Sequence, residues 1–311
     1  MKQSRILVVG SVNMDLFINV YKMPEAGETL VEDGGVAYIP GGRGASASTA
    51  FSRLGYETVF SAKLGADLHG QKLYQFLRDT RINTSFIKVD SDDPSGLSVI
   101  MKEGSGDRRT VVYPGANLNL TADNVEEAFS SSPDALYISL EPNVQTVISA
   151  MRGAMARDIP IFVDATPASA DYPLEKLPEC EIFSPNEDET EAFVGVRPVG
   201  ADASLRAALA LYKRVKCKYI VIKQGDRGAF IYDGKHYFMI PSVRVGKTVD
   251  TSAAGDAFGA AMTASYLHDK DIKKAVKLGI VAGAITVTRM GGLTSVPTEA
   301  EIVECLEKNP I

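Results

Sequence analysis

The stretch Val249-Asp250-Thr251-Ser252-Ala253-Ala254-Gly255-Asp256 puts small residues where a helix begins and a carboxylate in its first turn. A β-like run, His236 to Ile240, and a short connection precede it, and an apolar helix-like run, Ala257 to Leu267, follows. Free N–H groups at a helix start bind anions. Without bulky side chains, a phosphate can approach that backbone closely. A carboxylate beside such a cradle can take a proton from an attacking hydroxyl. The spacing therefore predicts phosphoryl transfer from a nucleotide to an alcohol, with Asp256 as base. Taken alone, the segment fits equally an ordinary strand-to-helix turn with Asp256 as a capping-region charge.

Two further segments have residue types suited to ligand binding. Pro40-Gly41-Gly42-Arg43-Gly44-Ala45-Ser46 also precedes a helix-like run, so its backbone could hold a polar ligand, though a plain turn fits it as well. Gly10-Ser11-Val12-Asn13-Met14-Asp15 follows the first strand-like run. In open α/β sheets, ligands bind beyond the carboxyl ends of strands. Asn13 and Asp15 are placed there to hydrogen-bond sugar hydroxyls, although Asn and Asp are also ordinary turn residues. Two look-alikes are set aside. Gly246-Lys247-Thr248 ends like a P-loop, but the glycine required five positions earlier is Pro241, and no helix follows directly. The first strand lacks GxGxxG, which argues against a dinucleotide-binding unit.

The elements that must position these residues alternate between strand and helix. Ile6-Leu7-Val8-Val9 is a continuous apolar run, as expected of a buried parallel strand. Helix-like runs are Gly44 to Leu54, Leu68 to Leu77, Val144 to Met155, Glu187 to Phe193, Leu205 to Val215, Ile272 to Thr288 and Glu299 to Leu306. Strand-like runs are Thr58 to Ser61, Ala135 to Ile138, Ile159 to Val163 and Tyr219 to Ile222. Repeated βα units predict an α/β fold, with helices on both faces of a mostly parallel sheet. Leu16 to Ile39 and Gly96 to Tyr113 break the pattern. The first has short β-like runs and a turn at Pro24-Glu25-Ala26-Gly27. The second reads as a hairpin around Glu103-Gly104-Ser105-Gly106-Asp107. Together they predict a small antiparallel sheet inserted into the α/β body, serving as a lid or a subunit interface.

Composition narrows the class. The 311 residues, 45% hydrophobic and 23% charged, are those of a soluble globular protein with a large core. A net charge of −6 argues against a general nucleic-acid binder. No run approaches the ~18 apolar residues of a membrane span, and the apolar run after Met1-Lys2-Gln3-Ser4-Arg5 is too short for a signal peptide. Cys180, Cys217 and Cys305 are far apart and show no metal-ligand spacing, which predicts reduced thiols in a cytoplasmic protein. His69, His236 and His268 form no HExxH pattern and read as surface or turn residues. There is no internal repeat, low-complexity segment or linker.

Seven motifs in collinear order resemble the ribokinase-type carbohydrate kinases of the PfkB family over essentially the whole chain. Asp250 to Asp256 is similar to the family's DTxxAGD signature, and Gly41-Gly42-Arg43-Gly44-Ala45 to its GGxGA signature. Pro24 to Thr29, Leu64 to Gly70, Gly115-Ala116-Asn117, Pro185 to Glu189 and Gly291 to Pro297 complete the set. The resemblance implies a single ribokinase-like domain over 1–311, a three-layer α/β/α sandwich with a mostly parallel central sheet and a β lid formed by 16–40 and 96–113. It implies Asp256 as catalytic base and the backbone of Ala253, Ala254 and Gly255 as an anion hole. Asn186 and Glu189 match the NxxE motif that organises Mg²⁺, largely through water. Lys223, Gly225 and Gly228 match the ATP-binding loop, to which Asn186, Gly255 and Ile280 also contribute. Asn13, Asp15, Gly41, Gly42, Arg43, Ser46 and Glu141 match sugar-binding positions. Asp250, Ser252, Thr286, Arg289, Gly291 and Ser295 match loops that hold an activating monovalent cation, K⁺, several of them through main-chain carbonyls. The lid of ribokinases also forms a dimer interface, so a homodimer is expected.

The chain departs from the family pattern at four places. Arg43 stands where ribokinases have lysine, and the two are not equivalent in a tight site. Ser46 replaces a sugar-contacting asparagine that it is too short to imitate. Ile280 replaces an Asn or His of the purine pocket, and Lys223 a common Thr. These differences leave the catalytic positions intact and alter the sugar pocket. The resulting expectation is an ATP-dependent kinase acting on a primary or anomeric hydroxyl of a free sugar, a ribose-like pentose or a ketohexose such as fructose. The alternatives are a nucleoside kinase of the same family and a non-catalytic sugar sensor on a kinase fold. A phosphosugar substrate is disfavoured, because Asp15 and Glu141 would repel its phosphate.

Overall fold

In the computed structural model, residues 4–104 and 108–309 are described. The strands in chain order are β1 (Arg5–Val9), β2 (Asn13–Val20), β3 (Val36–Gly41), β4 (Glu57–Gly65), β5 (Ile87–Asp90), β6 (Gly96–Glu103), β7 (Arg108–Tyr113), β8 (Ala135–Ser139), β9 (Ile161–Asp164), β10 (Cys180–Ser184), β11 (Cys217–Lys223), β12 (Ala229–Tyr232) and β13 (Tyr237–Ile240). The helices are α1 (Arg43–Arg53), α2 (Leu68–Asp79), α3 (Ala122–Ala128), α4 (Val144–Met155), α5 (Glu187–Val194), α6 (Gly200–Arg214), α7 (Ala254–Asp269), α8 (Ile272–Thr286), α9 (Gly292–Ser295) and α10 (Glu299–Lys308).

Nine strands form one sheet in the order β13-β12-β11-β10-β9-β8-β1-β4-β5. From β11 to β5 every pairing is parallel, and only β12 runs against its neighbours. The two-residue period of β1 shows how the layers form. Ile6 and Val8 join one core with α1, α7 and α8, while Leu7 and Val9 join the other with α4 and α6. All four are fully buried, which is why the run reads as continuously apolar. Helix starts follow local capping chemistry. Asp67 accepts from Gly70 N–H, Asn143 from Thr146 N–H, and Asn186 and Glu189 close a reciprocal capping box on α5.

The second sheet has the order β3-β2-β6-β7 and unites the two irregular segments, beginning at Asn13 rather than Leu16. It corrects the expectation of an antiparallel sheet. β2 and β6 pair in parallel from Asn13↔Gly96 to Val20↔Glu103, while the two outer pairs are antiparallel. Parallel pairing follows because β2 and β6 are separated by a long excursion through the main body, so no tight turn forces them antiparallel. Residues 105–107 of the expected hairpin turn lie outside the described residues. Strands β5, β10 and β12 and helix α3 have no counterpart in the sequence expectations. Those elements are four to seven residues long, too short to display a period.

One histidine departs from expectation. His236 and His268 are exposed, but His69 is half-buried in α2 and stacks on Tyr38 of β3, with ring centroids 5.7 Å apart. Cys180, Cys217 and Cys305 are buried free thiols. Among the described residues, no helix is long and apolar enough to cross a membrane.

Candidate active site

The order of the main sheet reverses direction around β1, which lies between β8 and β4. Such a switch point leaves a crevice at the carboxyl ends of the strands. Chain segments from β1, β8, β9, β10 and β11 all deliver polar residues there: Asn13, Glu141, Asp164, Asn186 and Lys223.

The loop after β1 is built by side chains answering backbone groups. Asn117 donates from Nδ2 to Asn13 Oδ1 at 2.8 Å and accepts from Val12 N–H at 2.9 Å. Glu141 Oε2 accepts from Ser11 N–H at 3.1 Å and Ser139 Oγ at 3.0 Å. Burial raises the Glu141 carboxyl above its ordinary value. Asp15, on β2, is pushed up to about 6 by burial, against the lowering effects of Ser98 and Arg43. Gly41 must be glycine for this carboxylate to sit where it does, since a Cβ there would stand 2.1 Å from Asp15 Oδ2. Gly42 adopts φ 96°, and a Cβ would stand 2.7 Å from Val12 Cα. Arg43 then opens α1, its N–H donating to Ser11 Oγ at 3.1 Å. Ser46 is buried in the first turn of the same helix, its N–H bonded to the Gly42 carbonyl.

The cradle lies across the crevice. Ala253 is left-handed, with φ 58°, a conformation that costs an L-residue about 1–2 kcal/mol and clusters at functional sites. It starts α7 without any side-chain cap, so the first-turn N–H groups of this 16-residue helix are not closed off by a side chain. Asp256 sits in that turn, 2% exposed. Burial pushes its carboxyl up to about 7, opposed by Arg43, whose Nη1 lies 3.5 Å from Asp256 Oδ1. In return Asp256 drives the Arg43 guanidinium further above its ordinary value. The structure thus brings together Arg43 and Asp256, which are 213 positions apart.

Beside the cradle opens a cavity of about 590 Å³. Lys223, Gly225 and Gly228 line one side, and Gly255, Phe258 and Ile280 another. Gly246 and Thr248 also line it, although the segment is no P-loop: residues 241 to 253 form no helix. Lys223 Nζ donates to Asp164 Oδ1 at 2.6 Å. Burial would pull this ammonium down, but Asp164 and Glu189 carry it above its ordinary value. Asn186 Oδ1 accepts from Glu189 N–H at 2.8 Å, and Glu189 Oε2 accepts from Asn186 N–H at 2.7 Å. The capping box therefore occupies one oxygen of each side chain and leaves Glu189 Oε1 for a further partner. Burial raises the Glu189 carboxyl, with Lys223 opposing.

Asp250 staples two loops, accepting from Ser252 N–H at 2.9 Å and Gly291 N–H at 3.2 Å. Other side chains of the expected cation loops are engaged elsewhere. Thr286 Oγ1 donates to Ala282 O, Ser295 Oγ to Gly292 O, and Arg289 pairs with Glu301. The Thr286 and Gly291 carbonyls also accept backbone hydrogen bonds, from Arg289 N–H at 3.1 Å and Ser295 N–H at 3.0 Å. Asp164 and Asn117 are absent from the sequence-derived site. A lone Asp at a strand end has no signal in the sequence, whereas Asn117 carries one as the last residue of the Gly115-Ala116-Asn117 motif.

Comparison with known proteins identifies the family and the fold. Residues 3–299 match the model of the pfkB family carbohydrate kinases. The chain is 30% identical to a ribokinase of Haemophilus influenzae over 305 residues, covering 97% of this chain and 98% of the relative. It is 28% identical to a deoxyribokinase of Salmonella typhi, covering 98% and 99%. A solved structure of Arabidopsis thaliana ribokinase complexed with ribose and ATP superposes with a TM-score of 0.87 at 22% identity, covering 99% of each chain. With the family model spanning nearly its whole length, the chain belongs to the pfkB family of carbohydrate kinases.

Proposed function

We propose that this kinase transfers the γ-phosphoryl group of ATP to a hydroxyl of a free sugar, a ribose-like pentose or a ketohexose. The observation that carries the reading is Asp256, buried in the uncapped first turn of α7 and 3.5 Å from Arg43. Asp256 takes the hydroxyl proton as the sugar oxygen bonds to phosphorus, and the bond from phosphorus to the ADP oxygen breaks. The backbone N–H groups of Ala253, Ala254 and Gly255 and the Arg43 guanidinium receive charge that develops on the transferring phosphoryl. Asn13, Asp15, Gly41, Gly42, Ser46 and Glu141 form the sugar side. Asp15 and Glu141 are acceptors for sugar hydroxyls, and both supply negative charge that disfavours a phosphorylated substrate. The cavity bounded by Lys223, Gly225, Gly228 and Ile280 takes the nucleotide, its apolar wall meeting the base.

Glu189, through its remaining oxygen, and Asn186 would hold Mg²⁺ by way of water. Contact by way of water suits an ion that keeps several of its waters. When bound, Mg²⁺ neutralises phosphate charge. The loops joined by Asp250 would seat an activating K⁺ through carbonyls. The small sheet acts as the lid. Arg108 on β7 donates to Ser252 Oγ at 3.4 Å, so the sheet already touches the cradle loop. Val36, Tyr38, Val111, Val112 and Tyr113 are exposed on this sheet and support a homodimer formed through it.

The test is ADP release across a panel of free sugars and nucleosides with Mg-ATP, with and without K⁺. Turnover of one free sugar, abolished in Asp256→Asn, is the expected result. Turnover of nucleosides alone would make the protein a nucleoside kinase. Sugar binding without turnover would make it a sensor.

A further inference from the structure

Lys223 and Asp164 end strands β11 and β9, with β10 lying between them in the sheet. Their side chains meet across the end of β10 at 2.6 Å, with 11% and 2% of their surfaces exposed. The other Asp164 oxygen, Oδ2, is buried without a hydrogen-bond partner in the described structure. Lys223 is also anchored at its backbone, its N–H donating to Pro185 O at 2.8 Å. The ammonium lies where the nucleotide cavity meets the cradle. Lys223 lines the cavity, and a Cβ built on Gly255 would stand 3.9 Å from Nζ.

Burying an ion pair is weak evidence for stability, because apolar residues of similar size often serve as well. A flexible lysine, however, must be fixed before it can read a ligand, and its four-carbon stem does not do so alone. An ammonium has three donors, of which Asp164 takes one. We propose that Asp164 is a positioning residue for phosphoryl transfer, holding the Lys223 ammonium at the junction of cavity and cradle, where its remaining donors take oxygens of the nucleotide phosphate chain. The assignment rests on reading the cavity as the nucleotide site. It makes Asp164 act on the nucleotide through Lys223.

The test compares Asp164→Asn, Lys223→Met and the double variant for melting temperature, calorimetric ADP affinity, kcat, and KM for ATP and sugar. Asp164→Asn should weaken ADP binding or ATP KM by about tenfold or more, with sugar KM within about twofold. The double variant should be no worse in kinetics than Lys223→Met alone, and should regain part of the melting temperature because the Asp164 carboxylate is no longer left unpaired. Lys223→Arg should keep part of the ATP affinity that Lys223→Met loses. If the two single effects multiply in the double variant, Asp164 does not act through Lys223 and the proposal fails. It fails as well if Asp164→Asn lowers melting temperature but leaves ATP kinetics unchanged. If the unaltered protein binds no ADP, the nucleotide reading of the cavity falls first and takes the proposal with it.

Discussion

Asp256→Asn tests the proposed chemistry and its energetic cost together. In the ligand-free protein the carboxyl is pushed up to about 7 by burial. As a base it must be ionised, so about a tenth is competent near pH 6 and about nine tenths near pH 8. kcat/KM, which reports the free enzyme, should therefore rise about tenfold across that interval and level off above it. Replacing the carboxylate by an amide removes the base, a loss of about 10²–10⁴ in kcat. The stability effect has the opposite sign. Between the ordinary Asp value and about 7, the folded state binds more protons than the unfolded state. Stability from this group is thus full below the ordinary value and declines as pH rises through about 7. The decline is on the order of a few kcal/mol, moderated by Arg43. Asn mimics the neutral form, so the variant should be more stable than the parent near pH 8 and similar near pH 4. Turnover would be followed by ADP release and stability by urea denaturation at both pH values. A variant within tenfold of parental kcat would refute the assignment of Asp256 as base, and a flat parental profile from about pH 6 to 8 would refute the raised carboxyl.

Other perturbations separate binding from folding. In Gly255→Ala the new Cβ would meet Arg43 Nη1 at 3.5 Å, an ordinary contact, so melting temperature should hold while kcat falls at least about tenfold because the methyl group fills the phosphate approach. In Gly41→Ala the Cβ would stand 2.1 Å from Asp15 Oδ2 and displace the carboxylate; sugar KM should rise about tenfold or more, with ATP KM nearly unchanged, as steady-state kinetics would reveal. Gly42→Ala strains a φ of 96° and strikes Val12 backbone, and should cost about 1–3 kcal/mol in chemical denaturation. Arg108→Ala should raise ATP hydrolysis without sugar relative to sugar phosphorylation, because the lid loses its contact with Ser252; an unchanged ratio would remove Arg108 from closure.

Much of the site was legible because its determinants are local. Small residues before an apolar run mark the start of α7, and Asn186 with Glu189 three residues later marks the start of α5. The apolar run Ile6 to Val9 announces a strand buried on both faces, which places Asn13 and Asp15 near a strand end without any coordinates. What the residues alone could not decide depends on partners far away in the chain. β2 could pair with β6 in either direction; the path of the intervening main-sheet segment makes that pairing parallel. His69 reads as a surface residue until β3 brings Tyr38 against its ring. Asp164 is one carboxylate among many until β11 sets Lys223 2.6 Å from it. Local backbone chemistry thus determined which segments form the cradle, the caps and the strand ends. Only the tertiary structure decided which charges share a buried space, and with it the raised carboxyl of Asp256, because desolvation and Coulomb interaction depend on neighbours that sequence distance does not reveal.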